Sequence, residues 1–473
     1  MPGQNIRAFH KLGISLASLP AGFGVACLLL AATAVGPATD TFKTLANFNG
    51  SNGADPALES LVQGTDGNLY GTTQNYGAHS GGTVFKMTPN GLLTTIHNFA
   101  GSPDGAYPQG GLVMGNAGNF FWGTTSVGGA FGLGTVFRID SAGVLIVYHS
   151  FGGTDGQYPE STLVEGTDNN FYGTTEQGGA HGDGTVFKIT SGGTLTTLYS
   201  FAGTDGEAPL AGLVQATDGN FYGTTEEGGA HGDGTVFKIT SGGTLTTLYS
   251  FAETDGKSPY AALVQAADGN FYGTTEEGGA NHVGTIFEIT SAGTLTTLYS
   301  FARTDGTNPY APLVQGTDGN FYGTTADGGD HRRGTVFQIT SAGALTTLHS
   351  FDIADGDNPI GGLVQRTAGG FFGVTSVGGS GVPGFGTVFS LAIGLGPFVK
   401  TLPTSGAVGS SVIILGTDLT GSTSVTFNGT AASFTVVSSS EITTTVPSGA
   451  TTGPVEVDTP SETLTSNVNF TVP

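Results

Sequence analysis

The sequence predicts an all-β protein whose main part is a seven-bladed β-propeller of four-stranded blades, closed by its N-terminal strand. The first reason is a repeat of about 50 residues, which occurs seven times. Its "YGTT" motif, or a variant of it, starts at Tyr70, Trp122, Tyr172, Tyr222, Tyr272, Tyr322 and Phe372. The second reason is that the 83 glycines recur with this period beside aromatic and β-branched residues, which indicates ordered turns rather than disorder.

Residues 1–34 are predicted to be a signal peptide that sends the protein to the cell surface or out of the cell. Arg7 and Lys11 are followed by a long apolar run, and the run ends at Ala32-Thr33-Ala34, which fits a cleavage site. The run is about as long as a membrane helix, so a retained anchor is the alternative. Cys27 is the only cysteine, so the mature chain would contain no disulfide.

The charge balance excludes several classes of partner. The chain has 13 basic and 36 acidic residues, a formal net charge of −23. Loss of Arg7 and Lys11 with the signal peptide would leave 11 basic residues against 36 acidic ones, a net of −25. A surface this acidic repels nucleic acids and anionic membranes. We expect a monomer without a membrane span in the mature chain, whose partner is a glycan or an extracellular protein, and the charge also admits Ca²⁺.

Each repeat contains four runs that are typical of β-strands. In the fourth copy they are "AGLVQA" (211–216), "NFYGTT" (220–225), "GTVFKIT" (234–240) and "TLTTLYSF" (244–251). All four are rich in β-branched or aromatic residues, and turn residues such as "TDG" and "SGG" separate them. Four short strands in about 50 residues have the size of one propeller blade.

The two ends of the array predict that the ring closes. The chain opens with an isolated copy of the fourth strand, "TFKTLANF" (41–48), and the last repeat stops after its third strand, "GTVFSLAI" (386–393). The N-terminal strand is therefore expected to complete the last blade. Such closure removes the unpaired sheet edges that an open array would leave.

The repeat resembles the GloVer family, also called choice-of-anchor tandem repeats. The residues that carry the resemblance are "LVQGTDGNFYGTT" at 313–325 and "LTTLYSF" at 245–251, and it covers residues 41–393. The resemblance implies an exported β-propeller and little about chemistry.

Residues 396–473 resemble an IPT/TIG domain, an immunoglobulin-like β-sandwich. Its marks are Pro403, Gly406, Gly409, the "VTFNG" at 425–429 and the turn "VPSGATTGPV" at 446–455. In exported proteins such domains act as spacers or adhesive modules, so the resemblance implies no catalysis here.

One face of the propeller is expected to carry the functional groups. The long connectors, such as "AGTDGEAPL" (202–210), and the acidic loops, such as "EEGGAHGDG" (226–234), should lie on the same face of the meander. Long loops on a rigid scaffold are the usual place for binding residues. The candidate ligand-binding residues are His181, Asp183, Glu226, Glu227, His231, Asp233, Glu276, Glu277, His282, Arg303, Asp327, His331, Arg332 and Arg333.

The chemistry of these groups leaves two interpretations open. Oxygen-rich loops suit Ca²⁺ and mixtures of His and carboxylates suit transition metals, but the spacing of Glu226, His231 and Asp233 matches no established ligand motif. The alternative is solvated loop residues multiplied by duplication. The same two interpretations apply to the carboxylates of the connectors, such as Asp255. The three arginines are expected to pair with nearby carboxylates.

The function predicted from the sequence is that of a secreted or cell-surface, non-catalytic repeat protein. Its propeller would bind a glycan, a protein or a cation. The near-identity of Gly178–Ala202 and Gly228–Ala252 suits repeated binding or scaffolding. The alternative is a secreted propeller enzyme, a lyase or hydrolase that acts on polysaccharide. No catalytic residue is assigned, and Ca²⁺ is the one cofactor considered.

Overall fold

The structure is a computed structural model that describes residues 41–56, 61–118, 120–381 and 384–473. The predicted signal peptide lies outside the described residues. Residues Thr39–Pro473 belong to one compact unit. The regular elements of the described ranges are all β-strands. Within these ranges there is no helix with the length and apolar character of a membrane span.

The strands follow the sequence repeat. Before the first copy lies β1 (Thr41–Asn47). Copy one contains β2 (Ala54–Pro56), β3 (Val62–Gln63), β4 (Leu69–Asn75), β5 (Thr83–Met87) and β6 (Leu93–Asn98). Copy two contains β7 (Val113–Met114), β8 (Phe120–Thr125), β9 (Thr135–Asp140) and β10 (Leu145–Ser150). Copy three contains β11 (Val164–Glu165), β12 (Phe171–Thr175), β13 (Thr185–Ile189) and β14 (Leu195–Ser200). Copy four contains β15 (Val214–Gln215), β16 (Phe221–Thr225), β17 (Thr235–Ile239) and β18 (Leu245–Ser250).

The later copies repeat this layout. Copy five contains β19 (Val264–Gln265), β20 (Phe271–Thr275), β21 (Thr285–Ile289) and β22 (Leu295–Ser300). Copy six contains β23 (Val314–Gln315), β24 (Phe321–Thr325), β25 (Thr335–Ile339) and β26 (Leu345–Ser350). Copy seven contains β27 (Val364–Gln365), β28 (Phe371–Thr375) and β29 (Thr387–Ala392). The C-terminal region contains β30 (Lys400–Leu402), β31 (Ser411–Leu415), β32 (Ser424–Phe427), β33 (Thr430–Ala431), β34 (Phe434–Ser438), β35 (Glu441–Thr445), β36 (Val455–Asp458) and β37 (Thr463–Thr465).

Each copy forms an antiparallel sheet in which consecutive strands are neighbours, as in the order β15-β16-β17-β18. In copy one, β2 adds a fifth strand beside β4. The first strand of a copy is only two residues long, shorter than the run "AGLVQA" predicts. Residues beside it bond to a neighbouring copy instead. In copy four, the Ala211 carbonyl accepts from Thr174 Oγ1 at 3.0 Å, and Gln215 Oε1 accepts from the Thr167 amide at 2.9 Å.

The N-terminal strand completes the sheet of copy seven, as predicted. β1 pairs with β29 in a register that runs from Thr41 opposite Ala392 to Asn47 opposite Thr387. The ring of Phe42 stacks on His349 of copy six at 3.7 Å. The first residues of the described chain are therefore held by its last two repeats.

Apolar side chains between sheets form the core. One cluster joins Tyr172, Val186 and Phe201 of copy three to Phe221 and Phe237 of copy four. Equivalent clusters join the other consecutive copies. Another joins copy seven to copy one and contains Phe372, Val374, Leu69 and Phe85. Burying such residues on both faces of every sheet supplies the main stabilisation. The aromatic residues of "NFY" fill this space, as predicted.

A chain of side-chain hydrogen bonds also links the copies near their first strands. Gln215 accepts from Thr167 in the preceding copy, and Gln63 of copy one accepts from the Thr367 amide of copy seven at 3.2 Å. In copy two the residue equivalent to Gln63 and Gln215 is Met114, which cannot form this hydrogen bond. It packs instead in a cluster with Leu415 of the C-terminal region.

The C-terminal region consists of two four-stranded sheets, β30-β31-β35-β34 and β33-β32-β36-β37. Val412, Ile414, Val425 and Phe427 belong to the apolar core that the two sheets share. This region also contacts the repeats. Lys400 Nζ donates to the Gln365 carbonyl at 2.7 Å, and Ser440 Oγ donates to the Thr65 carbonyl at 2.6 Å.

Candidate functional site

The connectors between copies and the loops after the second strands lie together, as predicted. Backbone bridges join the two kinds of segment at equivalent places: Gln157 with Gln177, Glu207 with Glu227, Lys257 with Glu277, Thr307 with Asp327, and Asp357 with Val377. The pairing follows from the up-and-down order of the strands, which brings alternate connections to the same end of a sheet. We call the surface made by these segments the loop face.

A group of polar side chains from several copies converges on the loop face. It comprises Gln109, Glu160, Glu176, Glu226, Tyr260, Glu276 and Tyr310, and we call it the carboxylate–tyrosine cluster. These residues come from two positions of the repeat. Gln109, Glu160, Tyr260 and Tyr310 each follow the proline of a connector, and the remaining glutamates each follow a "GTT" strand.

Hydrogen bonds and ring contacts connect members of the carboxylate–tyrosine cluster from different copies. Gln109 Nε2 donates to Glu160 Oε1 at 2.6 Å. The Tyr310 hydroxyl donates to Glu276 Oε1 at 2.5 Å. The rings of Tyr260 and Tyr310 meet edge to face, with centroids 5.4 Å apart. Each of these contacts crosses from one copy to the next.

The electrostatic field of the cluster reaches across copies three to six. Burial raises the pKa of the Tyr260 hydroxyl, and Glu160, Glu226, Glu176 and the neighbouring Tyr310 raise it further. A tyrosine that enters from copy five is therefore close to carboxyl groups from copies three and four. The side chains of several copies therefore form one connected group rather than a series of separate ones.

Burial and mutual repulsion raise the pKa values of two carboxyl groups of this cluster, those of Glu160 and Glu226. Burial raises the pKa of Glu160 to about 7, and the charge of Glu176 adds to the effect. Burial and the neighbouring Glu227 and Glu276 raise the pKa of Glu226 to about 7. At neutral pH these two side chains exist in both forms, so each can donate or accept a hydrogen bond.

The predicted histidines lie away from the cluster. His181, His231, His282 and His331 are exposed, whereas Glu226 and Glu276 are half-buried inside it. His282 Nδ1 lies 2.9 Å from Glu253 Oε1, with both side chains more than 60% exposed (68% and 63%). Within the residues that the structure describes, no group of three or more His, Cys, Asp or Glu side chains is arranged to hold a metal ion.

The other predicted residues occupy the outer part of the loop face. Asp183 and Asp233 form backbone bridges to Gly178 and Gly228 within their own loops. The exposed Glu227 flanks the cluster. Glu277 Oε2 lies 3.1 Å from Lys257 Nζ.

The three predicted arginines do not converge. Arg333 Nη1 lies 2.6 Å from Asp357 Oδ2, which is an ion pair of the kind expected. Arg303 and Arg332 instead line a cleft of about 650 Å³ together with Asp327.

The connector carboxylates act as loop anchors. Asp255 Oδ2 accepts from the Tyr249 hydroxyl at 2.7 Å, and its Oδ1 accepts from the Ala252 amide at 3.1 Å. Where the outer strand has His in place of Tyr, the imidazole ring contacts the connector aspartate instead of the tyrosine hydroxyl. His349 Nε2 lies 2.9 Å from Asp355 Oδ2. The outer-strand histidines therefore pack against the connectors, and each contacts an aspartate there.

The sequence reasoning missed Gln109, Glu160, Tyr260 and Tyr310. A signal for them was present, because the residue after the connector proline changes from copy to copy while its surroundings barely change. It is Gln109, Glu160, Leu210, Tyr260, Tyr310 and Ile360 in copies two to seven. A position that varies inside an otherwise uniform repeat is a candidate for a function that one copy cannot perform alone.

Solved structures with similar folds are propeller-like proteins of low sequence identity. A fungal alcohol oxidase of the AA5 family, in complex with copper, is 13% identical with a TM-score of 0.55, and the match covers 92% of this chain and 100% of that one. A Pseudomonas aeruginosa periplasmic gluconolactonase is 17% identical with a TM-score of 0.42, covering 61% and 84%. At these identities the likeness to the oxidase indicates the fold alone.

Comparison at the level of sequence identifies the family. No curated protein matches the sequence. The model of the Gloeobacter/Verrucomicrobia repeat matches residues 32–180, 114–267, 161–389 and 213–437, which together span most of the chain. Because this match spans most of the chain, the chain belongs to the family of Gloeobacter/Verrucomicrobia repeat proteins.

Proposed function

We propose that the protein is a secreted or cell-surface, non-catalytic binding protein whose propeller binds a glycan at the carboxylate–tyrosine cluster. The propeller would be a closed ring of seven blades. The C-terminal region would be an immunoglobulin-like sandwich of the IPT/TIG type that acts as a spacer. Support for the closed ring comes from the pairing of β1 with β29 and from the packing of Phe372 with Leu69 and Phe85.

The observation that carries the proposal is the convergence of unlike side chains from copies three to six. A sugar presents hydroxyl groups that donate and accept, and it presents a C–H face that packs on aromatic rings. Glu160 and Glu226, with pKa values of about 7, can meet hydroxyl groups in either role. Tyr260 and Tyr310 supply two perpendicular rings. The cluster therefore offers what a polyhydroxylated ligand needs.

A glycan fits the cluster better than a bare cation does. The carboxyl groups of Glu160 and Glu226, with pKa values of about 7, are partly protonated at neutral pH, which weakens their attraction for a cation. The described carboxylates and histidines also form no group suited to a metal ion. A neutral sugar needs no such group and is not repelled by the acidic surface.

A second candidate function is hydrolysis or elimination on a polysaccharide. The observation that favours it is the same pair of raised pKa values, because a carboxyl group with a pKa of about 7 is suited to act as a general acid. Hydrolysis would also require an attacking water or nucleophile held beside these two carboxyl groups, and binding requires neither, so binding is the simpler function for the cluster. Product analysis after incubation with each bound glycan separates the two functions.

The test is a glycan array with the mature chain, followed by titration of the best ligand. Tyr260→Leu introduces the residue that copy four has at this position, Leu210, so the fold is expected to accept it. We expect the affinity to fall at least about tenfold, because a ring contact and its buried area are lost.

The matched control is Lys188→Gln, which introduces the residue that copy six has at this position, Gln338. This variant is expected to bind as the wild type does. Equal affinity of the Tyr260→Leu variant and the wild type for every bound glycan would contradict the assignment of the site.

A further inference from the structure

We propose that the cleft beside Arg303 and Arg332 is a separate binding site for the carboxylate of an acidic saccharide, such as a uronic acid. The cleft has a volume of about 650 Å³ and lies on the loop face of copy six. Its lining includes the two arginines, Asp327 and Asn308. This site adjoins the carboxylate–tyrosine cluster, because the Asn308 side chain hydrogen-bonds to Glu276, and it goes beyond the function proposed there.

Copy five has a different pair of side chains at the positions of Arg303 and Arg332. In copy five the equivalent residues are Glu253 and His282, whose side chains meet at 2.9 Å. The backbone is the same in both copies. Gly279 donates to the Glu253 carbonyl at 2.7 Å and Gly329 donates to the Arg303 carbonyl at 3.1 Å. Copy six therefore has two guanidinium groups where copy five has a carboxylate and an imidazole.

Two guanidinium groups that line the same cleft repel each other, and a bound anion would relieve this repulsion. Among the described residues, neither Arg303 nor Arg332 forms an ion pair, whereas Arg333 is paired with Asp357. Both side chains are exposed, so they are free to turn toward a ligand. Guanidinium groups bind carboxylates through two parallel hydrogen bonds, which gives both affinity and direction.

The backbone at Arg332 has a conformation similar to that of the equivalent residues in other copies. Its φ angle is +59°, in the left-handed region that favours glycine. Copies three and four have Gly182 and Gly232 at this position, with φ angles of +95° and +81°. His282 of copy five has nearly the same φ angle, +57°, so copies five and six present different side chains from one backbone conformation.

The other groups in the cleft favour a hydroxylated carboxylate over a compact anion. Asp327 also lines the cleft and would repel sulfate or phosphate, but it can accept hydrogen bonds from sugar hydroxyl groups. The backbone of Asp327 is fixed by two hydrogen bonds with Thr307, at 2.8 Å and 3.2 Å. In a ligand that carries one carboxylate among several hydroxyl groups, the carboxylate can bind the arginines and the hydroxyl groups can donate to Asp327.

The experiment uses the mature chain and tetragalacturonate as the probe, with binding measured by calorimetry at 150 mM NaCl. The fully methyl-esterified tetramer is the neutral arm, and sodium sulfate is the compact-anion arm. We expect the wild type to bind tetragalacturonate and to bind the ester and sulfate at least about tenfold more weakly, because charge-assisted hydrogen bonds are lost.

The key variant is Arg303→Glu with Arg332→His, which gives copy six the Glu253–His282 pair that copy five already accommodates. We expect its affinity for tetragalacturonate to fall at least about tenfold. The matched control is Lys188→Gln with Lys238→Gln, in which both positions receive the residue that copy six has there, Gln338. This control removes two positive charges elsewhere and is expected to bind within about twofold of the wild type.

Three results would overturn the proposal. The first is no detectable binding of tetragalacturonate by the wild type at millimolar concentration. The second is binding of the ester or of sulfate as strong as that of the acid. The third is loss of binding in the Tyr260→Leu variant with full binding in the Arg303→Glu, Arg332→His variant, which would assign the acid to the carboxylate–tyrosine cluster. The proposal predicts that Tyr260→Leu keeps its affinity for the acid even if it loses a neutral glycan.

Discussion

At the scale of single residues, the raised pKa of Glu160 should make stability depend on pH. Burial and Glu176 raise this pKa from 4.5 to about 7, so the folded protein holds a proton at pH values where the unfolded chain has lost it. The contribution of Glu160 to the free energy of unfolding is therefore greatest below pH 4.5 and falls as the pH rises to about 7.

The variant Glu160→Gln tests this argument, and Gln109 of copy two is a precedent for glutamine at that position. At pH 8 we expect the free energy of unfolding to rise by roughly 1–3 kcal/mol, because a buried charge is removed. At pH 4 we expect little change. Urea unfolding at both pH values measures the difference. A variant that is destabilised equally at both values would contradict the electrostatic explanation.

The connector anchors give a second prediction at this scale. Asp255→Ala removes acceptors for the Tyr249 hydroxyl at 2.7 Å and the Ala252 amide at 3.1 Å. We expect the free energy of unfolding to fall by about 1–3 kcal/mol. The control is Tyr249→His, which copies the contact between His349 and Asp355 and should cost less than about 1 kcal/mol. Equal losses in the two variants would show that the aspartate does not anchor the connector.

At the scale of elements, the N-terminal strand should be essential for stability. β1 covers the edge of β29, and Phe42 packs on His349 and Phe389. A chain that begins at Asn49 would expose this edge and these rings. We expect its melting temperature to fall by about 10 °C or more relative to a chain that begins at Thr39, or the shortened chain to aggregate.

Addition of a synthetic peptide with residues 39–48 provides the control for this truncation. The peptide is expected to pair with β29 and to recover most of the lost stability. A shortened chain that melts at the same temperature as the longer one would mean that β1 is not needed to hold the last sheet.

The strands were predictable because each run recurs in seven copies, so that accidental features average out. The cluster was harder to predict, because its residues stand at positions where the copies differ. Glu160 and Tyr260 lie about 100 residues apart, and only the arrangement of the sheets brings them close. The acidic loops drew attention to the histidines, whose side chains are exposed. Repetition therefore predicts elements well, whereas a shared site depends on positions where the repeats differ.

At the scale of the whole molecule, the repeats and the C-terminal region are joined by more than their connecting peptide. The change of pattern near residue 396 predicts a second domain, and the contacts between the two parts lie within the compact unit Thr39–Pro473. Thr367 Oγ1 and Thr417 Oγ1 lie 2.9 Å apart, and Gly67 accepts from Arg366 at 3.0 Å in the same area. Such contacts join surfaces that are far apart in sequence, which a local pattern does not reveal.

Lys400 lies at this junction and offers a test of how tightly the two parts are held. Its Nζ donates to the Gln365 carbonyl at 2.7 Å. Burial and the nearby Arg366 lower its pKa from 10.5 to about 8. The folded protein therefore releases this proton at a lower pH than the unfolded chain does. For this group alone, the free energy of unfolding rises as the pH increases from about 8 to 10.5.

Lys400→Met removes the titrating group and keeps much of its apolar stem. At pH 7 we expect the free energy of unfolding of the variant to be roughly 1–3 kcal/mol higher than that of the wild type. The difference should shrink toward pH 10.5, where the wild-type lysine is neutral in both states. Urea unfolding of both proteins across this range isolates Lys400 from the tyrosines, since these titrate in both proteins. Parallel pH profiles would mean that the ammonium group remains solvated and that the junction is open to water.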